Sequence, residues 1–205
     1  MAIVVNHEAR RRAILTRALE LFAAQGYAAV TFQSIADGCG LARTALYKYF
    51  HHKRQIFDGA VTMATTSVAE KYREIVARPG PYREKIAAVQ EEVLRILFAN
   101  RELLLVVAEY TLAVKRSGKS LRWVVGRHTR GFKATLRYLL LKGIRAGEFA
   151  PDLDVRTATD ALYAVLEAAV LRLTLSDTAE MGPLVALVRQ TLDSLPRRTA
   201  PAERP

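Results

Sequence analysis

Apolar residues recur at three- and four-residue spacing almost from end to end of this chain, and nowhere do they alternate strictly over a strand's length. A period of 3.6 lays such residues along one face of a helix, whereas a half-buried strand needs a period of two. The fold class is therefore all-α, and the breakers divide the chain into about nine helices. In the first, Ile14, Leu15, Ala18, Leu21 and Phe22 share a face, with Asn6 the expected N-cap and Gly26 the expected terminator. A second begins after Thr31, turns Phe32, Ile35 and Ala36 inward and ends near Gly38-Cys39-Gly40. A short third helix is predicted over 42–50. A fourth starts near His52 and stops at Arg78-Pro79-Gly80-Pro81, where successive breakers leave no helical option. Five more follow, over 82–99, 101–116, 120–146, 154–175 and 183–195. Gly147 ends the third of these and Asp154 caps the fourth.

Composition narrows the setting. Of 205 residues, 51% are hydrophobic and 25% charged, a balance that excludes wholesale disorder. The longest apolar run, Leu103–Ala108, is far short of the ~20 residues a membrane span requires. It marks its helix as a buried one. Met1–Val5 is too short for a signal-peptide core. The single cysteine, Cys39, excludes an internal disulfide and any multi-cysteine zinc site. Cytoplasmic location without membrane attachment is the expectation. The last ten residues, Pro196–Pro205, hold three prolines and no apolar pattern, and are expected to be disordered.

The net charge of +11 implies a polyanionic partner without locating it. Its distribution does better. Residues 1–57 hold eight Lys or Arg, three acids and three of the four histidines, while the remaining 148 residues hold 23 cations against 17 acids. A basic N-terminal module on a larger, less specialised body is the reading. Arg10-Arg11-Arg12 stands in a first helical turn, where the macrodipole disfavours cations. The run is either meeting phosphate or simply solvated.

Thr31–Phe50 supplies the motif. Two short helices around a turn containing Gly40 fit a helix-turn-helix. Ala36, Cys39 and Gly40 are small where the helices approach, and Leu41 and Leu46 lock the second onto the first. Gln33, Arg43, Thr44 and Lys48 then face outward, where Arg and Gln can read base edges and Thr can reach phosphate or a thymine methyl. Spacing alone leaves open an ordinary helical bundle.

The wider pattern runs Arg12-x-Ile14-Leu15-x-x-Ala18-Leu19-x-Leu21-Phe22-x-x-x-Gly26-Tyr27, then Thr31-x-x-x-Ile35-Ala36-x-x-Cys39-Gly40-Leu41, then Leu46-Tyr47-x-Tyr49-Phe50-x-x-Lys53-x-x-Ile56-Phe57. It resembles the DNA-binding domain of TetR-like (TetR/AcrR) transcriptional regulators over residues 10–57. Two positions depart from the family habit: Arg43 stands where a small residue is commoner, and Cys39 replaces an alanine. The resemblance implies domains at 1–52 for DNA binding and 53–195 for ligand binding and dimerisation, with a tail at 196–205. It implies that Thr31 contacts phosphate, that Gln33 and Arg43 approach bases, and that Thr44 and Ala45 lie near thymine methyls. Tyr47, Tyr49 and Lys53 become phosphate contacts. Packing roles stay open for Tyr47 and Phe50, and plain solvation for Lys53.

The body is expected to pair with a second copy through its two C-terminal helices, whose apolar faces are Leu162, Val165, Leu166, Ala169, Val170 and Leu173, and Leu184, Leu187, Val188, Leu192 and Leu195. One subunit could equally bury these faces internally. Two recognition helices about 34–36 Å apart could then read a palindromic operator in double-stranded DNA. The resemblance also implies a small-molecule effector whose binding moves the fourth helix about a hinge near Lys53–Phe57 and releases the operator. Candidate pocket residues are Phe98, Glu109, Tyr110, Trp123, His128, Phe132 and Glu167. The two glutamates sit among apolar neighbours, and a buried carboxylate needs a partner; Arg127, Arg130 and His128 are the internal candidates. A constitutive or architectural DNA-binding protein is the rival reading.

Other chemistries find no footing. His51 and His52 are adjacent and point about 100° apart on a helix, which does not make a metal chelate. Glycines occur singly, without a phosphate-cradling run. Cys39 is a small packing residue. Neither an enzyme, a cofactor nor a metal site is read.

Overall fold

The computed structural model describes residues 2–116, 124–176 and 178–197. The side chains of residues 2–6, 67 and 124–128 are also outside this description. Nine helices and no strands occur among the described residues: α1 (Ala2–Ala29), α2 (Phe32–Gly38), α3 (Arg43–Leu46), α4 (Lys53–Ala77), α5 (Tyr82–Ala99), α6 (Arg101–Arg116), α7 (Val124–Arg145), α8 (Val155–Leu175) and α9 (Met181–Asp193). The fold is all-α. None of these helices is long and apolar enough to cross a membrane.

The chain forms two compact units, each assembled from two stretches of sequence. Unit 1 comprises residues 1–67 and 101–126, and unit 2 residues 68–100 and 127–205. In unit 1 the expected stripe of α1 (Ile14, Leu15, Ala18 and Phe22) meets Ile35 and Ala36 of α2, Leu46 of α3, and Ile56 and Phe57 of α4. Val106, Tyr110 and Val114 of α6 complete this core. The continuous apolar look of α6 does not make it a buried helix. Six consecutive residues point in every direction around a helix, and Leu105 and Leu112 remain 42% and 54% exposed.

Unit 2 packs α5, α8 and α9 around Ile86, Val89, Leu136, Leu162, Leu166 and Val188. Asp154 caps α8 as expected, accepting the N–H groups of Arg156 and Thr157. At α5 the preceding Pro81 offers no side-chain cap. Glu148, 65 residues away, supplies it by accepting the N–H groups of Tyr82 and Arg83 at 2.9 Å each, so donors without intrahelical partners are satisfied. The apolar stripes of α8 and α9 lie mostly inside unit 2, while Leu171 and Leu175 of α8 are 58% and 76% exposed.

Several boundaries differ from expectation. The third helix, expected over 42–50, is helical only over Arg43–Leu46, and Tyr47–Tyr49 continue it as hydrogen-bonded turns. The last helix begins and ends two residues before the expected 183–195. Asn6 lies within α1, which begins at Ala2, and is not its cap. Gly26 does break the helix, with φ 77° and ψ 161°, but Tyr27–Ala29 resume it; only a residue without Cβ takes that conformation at low cost. The tail enters the description as far as residue 197, where the Pro196 carbonyl accepts Ala150 N–H at 3.0 Å.

Candidate nucleic-acid interface

The α2–turn–α3 segment is held at both ends of α2. Thr31 Oγ1 accepts Ser34 N–H at 3.0 Å and Ser34 Oγ accepts Thr31 N–H at 2.9 Å, a reciprocal capping box. At the other end Leu41 N–H donates to the Ala36 carbonyl and Gly40 N–H to the Asp37 carbonyl. That paired closure requires a left-handed residue after the cap, and Gly40 provides it at φ 63°. Arg17 Nε of α1 donates to the Gly38 carbonyl at 3.2 Å, tying the turn to α1. Cys39 is half-buried beside it. Burial pushes its thiol pKa up, and Arg17 and Arg10 only partly offset this, so the thiolate is suppressed.

With Ile35, Ala36 and Leu46 turned inward, Thr31, Gln33, Arg43, Thr44, Tyr47 and Lys48 are exposed. Gln33 Nε2 donates to Asp37 Oδ1 at 2.7 Å. Tyr47 is 43% exposed and packs on Phe32 of α2, with ring centroids 4.7 Å apart. The Arg43 guanidinium lies 5.9 Å from the Tyr47 ring centre, and its Nη2 donates to the hydroxyl at 3.4 Å. Ala45 and Tyr49 are half-buried, Tyr49 stacking on His7 at 4.6 Å. Phe50 is fully buried. The structure thus brings Thr31, Gln33, Arg43, Thr44 and Tyr47 onto the exposed side of one motif.

Lys53 differs from these. Its ammonium donates to the Tyr27 and Val30 carbonyls at 2.8 and 2.7 Å and reaches the Ala28 carbonyl at 3.4 Å. The plain solvation that sequence left open does not describe it. The adjacent histidines also have an assignment: His52 Nδ1 accepts Gln55 N–H at 3.0 Å, and Gln55 Oε1 accepts His51 N–H at 2.8 Å. His52 thus caps the first turn of α4 and Gln55 reaches back to the residue before it, a spacing readable in His52-x-x-Gln55.

Behind the motif, unit 1 holds a polar group that sequence reasoning missed. Asp58 accepts from the Tyr110 hydroxyl at 3.4 Å and pairs with Arg54 at 3.5 Å. Tyr110 belongs to an aromatic cluster with Phe22, Tyr27 and Phe57, whose ring-to-ring distances are 4.6–5.7 Å. Burial raises the pKa of Asp58 despite Arg54. Burial first, and the Asp58 charge next, push Tyr110 up to about 12. Tyr110 therefore stays a donor.

The proposed pocket residues fall in different settings. Glu109 and Tyr110 belong to unit 1, and Phe98, Phe132 and Glu167 to unit 2. Glu109 and Glu167 are both exposed in the single chain. The desolvation penalty that singled them out does not arise there. Phe132 is buried against Tyr72 and Tyr163, and Phe98 is half-buried on the same core. Trp123 lies outside the described residues, as do the side chains of His128 and Arg127; Arg130 is exposed. The buried polar side chains among the described residues of this core are Thr159 and Gln90. Gln90 donates to the Leu162 carbonyl at 2.7 Å.

Known proteins resemble the chain over both units. Residues 14–60 match the family model described as bacterial regulatory proteins, tetR family. Residues 107–186 match a tetracyclin repressor-like C-terminal domain. The fatty acid metabolism regulator protein of Bacillus subtilis (strain 168) is 26% identical over 182 residues, covering 89% of this chain and 91% of that protein. The HTH-type transcriptional repressor KstR2 of Rhodococcus jostii (strain RHA1) is 29% identical over 150 residues, covering 73% and 72%. Among solved structures, the transcriptional regulator FadR from Bacillus subtilis in complex with stearoyl-CoA superposes with a TM-score of 0.72 at 25% identity, covering 89% of this chain and 95% of that one.

Proposed function

Since this chain belongs to the tetR family of bacterial regulatory proteins, we propose that it is a homodimeric repressor that holds a palindromic operator and releases it when a long-chain acyl thioester binds. Transcriptional regulation through a DNA-binding helix-turn-helix follows from membership; the dimer, the palindrome and the effector are the further reading. The observation that carries it is the exposed set Gln33, Arg43, Thr44 and Tyr47 on a motif whose other side is fully engaged in the core. Arg43 is assigned to base edges, guanine foremost, because its fork matches O6 and N7. Thr31, Gln33, Thr44, Ala45, Tyr47 and Tyr49 are assigned to the surrounding phosphates, bases and methyls. DNA reading is allotted to residues 1–52, and ligand binding and pairing to 53–195.

Pairing is supported by the outward leucines of α8, Leu171 and Leu175, which a second copy would shield. The effector class is supported by the stearoyl-CoA held by the similar regulator. Release is a population shift: the ligand binds the non-binding arrangement of the dimer more tightly. α4 spans residues of both units and is the element through which that shift would pass.

The test starts from a random DNA pool. The chain should enrich an inverted repeat, bind it as a dimer, and release it on adding stearoyl-CoA, with a matching change in the fluorescence of its single tryptophan. Arg43→Ala should cost about 1–3 kcal/mol and relax preference at one base pair of each half-site. Enrichment of no sequence defeats the regulator reading. Tight binding that ignores stearoyl-CoA favours a constitutive DNA-binding protein.

A further inference from the structure

Three carbonyls converge on the ammonium of Lys53. Tyr27 and Ala28 lie in the last turn of α1, and Val30 connects it to Thr31, the cap of α2; the last carbonyls of a helix lack partners of their own. An ammonium carries three protons and no acceptor; all three have an acceptor at 2.7–3.4 Å. The Tyr27 ring lies 4.5 Å away, adding a cation–π contact. The side chain is half-buried, and that burial pulls its pKa down.

We propose that Lys53 is a positioning residue: it fastens the first turn of α4 to the α1–α2 connection and so sets the placement of Thr31 and α2, instead of neutralising a DNA phosphate. The proposal rests on the DNA-binding reading above. It separates two roles that a count of basic residues merges. A lysine on a phosphate contributes affinity through counterion release. A lysine that spends its protons on carbonyls contributes it through the geometry of the groups it holds. It also adds a polar link between α4 and the residues leading into α2, beside the shared core of Val30, Ile35 and Ile56, so that movement of the first turn of α4 acts on Val30 and Thr31.

Salt dependence and a charge-preserving variant distinguish the two. The probe is a duplex that the parent chain enriches from a random pool, titrated at several salt concentrations with the parent, Lys53→Met and Lys53→Arg. Lys53→Met should weaken binding roughly tenfold at fixed salt, about the loss of one charge-assisted hydrogen bond, with an unchanged log–log salt slope. Lys53→Arg should weaken it similarly, because a planar fork cannot direct three bonds from one nitrogen to converging carbonyls. In the free protein, amide exchange should accelerate over residues 32–38 in both variants and stay at the parent level over α8.

A slope shallower by about one in Lys53→Met, with Lys53→Arg binding like the parent, is the signature of a phosphate contact and overturns the proposal. Parent-like affinity in both variants overturns it too. If Lys53→Met fails to fold, Lys53→Arg and its exchange pattern decide. A parent chain that enriches no duplex defeats the DNA-binding reading, while the exchange experiment still tests the clamp.

Discussion

Asp58 places a partly buried carboxylate beside the aromatic cluster of unit 1, with Arg54 and the Tyr110 hydroxyl as its partners. Desolvation is the largest influence on it and raises its pKa. An acid whose folded pKa exceeds its unfolded value holds its proton more tightly when folded. Its contribution to stability therefore declines as pH rises through that interval. Asp58→Asn removes the charge yet keeps an oxygen for Tyr110. The variant's melting temperature relative to the parent should be more favourable at pH 7 than at pH 3.5; a flat or reversed difference would show that the Arg54 pair outweighs burial. None of this is legible from sequence, since Asp58 and Tyr110 lie 52 residues apart. The exposed Gln33, Arg43 and Thr44 were legible, because helical periodicity fixes which side chains turn away from Ile35, Ala36 and Leu46. Lys53 marks the limit: motif position points to the interface, and the backbone carbonyls it bonds in the free chain carry no sequence signature.

Among the elements, α5 and α6 match the predicted 82–99 and 101–116, because Pro81 and the Asn100 break are local signals. The cap of α5 was invisible, since Glu148 comes from the far side of α7. The same region shows how closely elements approach. A Cβ on Gly143 of α7 would stand 2.5 Å from one ring carbon of Phe149 and 3.3 Å from Tyr82 Cβ, and Phe149 is fully buried. Alanine would normally favour a helix over glycine by about 1 kcal/mol. Here overpacking should dominate, so Gly143→Ala is expected to lose about 1–3 kcal/mol in urea unfolding. A gain in stability would mean that the Phe149 ring can turn aside. The exposed leucines of α6 belong to the same scale: a run of apolar residues specified a helix but not how much of its circumference would be covered.

At the level of the molecule, sequence composition divides the charge between a basic first quarter and a milder body, but says nothing of the architecture. Periodicity gives each helix its apolar face without naming the helix it will meet. Nothing local says that α6, beginning at Arg101, joins Phe22 and Phe57 in unit 1 while α5 joins unit 2. A fragment ending at residue 67 would contain the whole helix-turn-helix yet lack Val106, Tyr110 and Val114. Its near-native helical circular dichroism should be lost at temperatures where the full chain is folded, and an equally stable fragment would show α6 to be dispensable.

This interleaving has a consequence in time. A ribosome adds about 5–20 residues per second, so several seconds separate the emergence of α4 from that of α6. During that interval the first helices of unit 1 are present with part of their hydrophobic surface uncovered, and α5 waits in turn for Glu148. Each half of the nascent chain depends on a later segment of its own unit across an intervening segment of the other. Transient shielding by a chaperone, or slow translation between residues 67 and 126, would therefore bear on yield as directly as the stability of the finished protein.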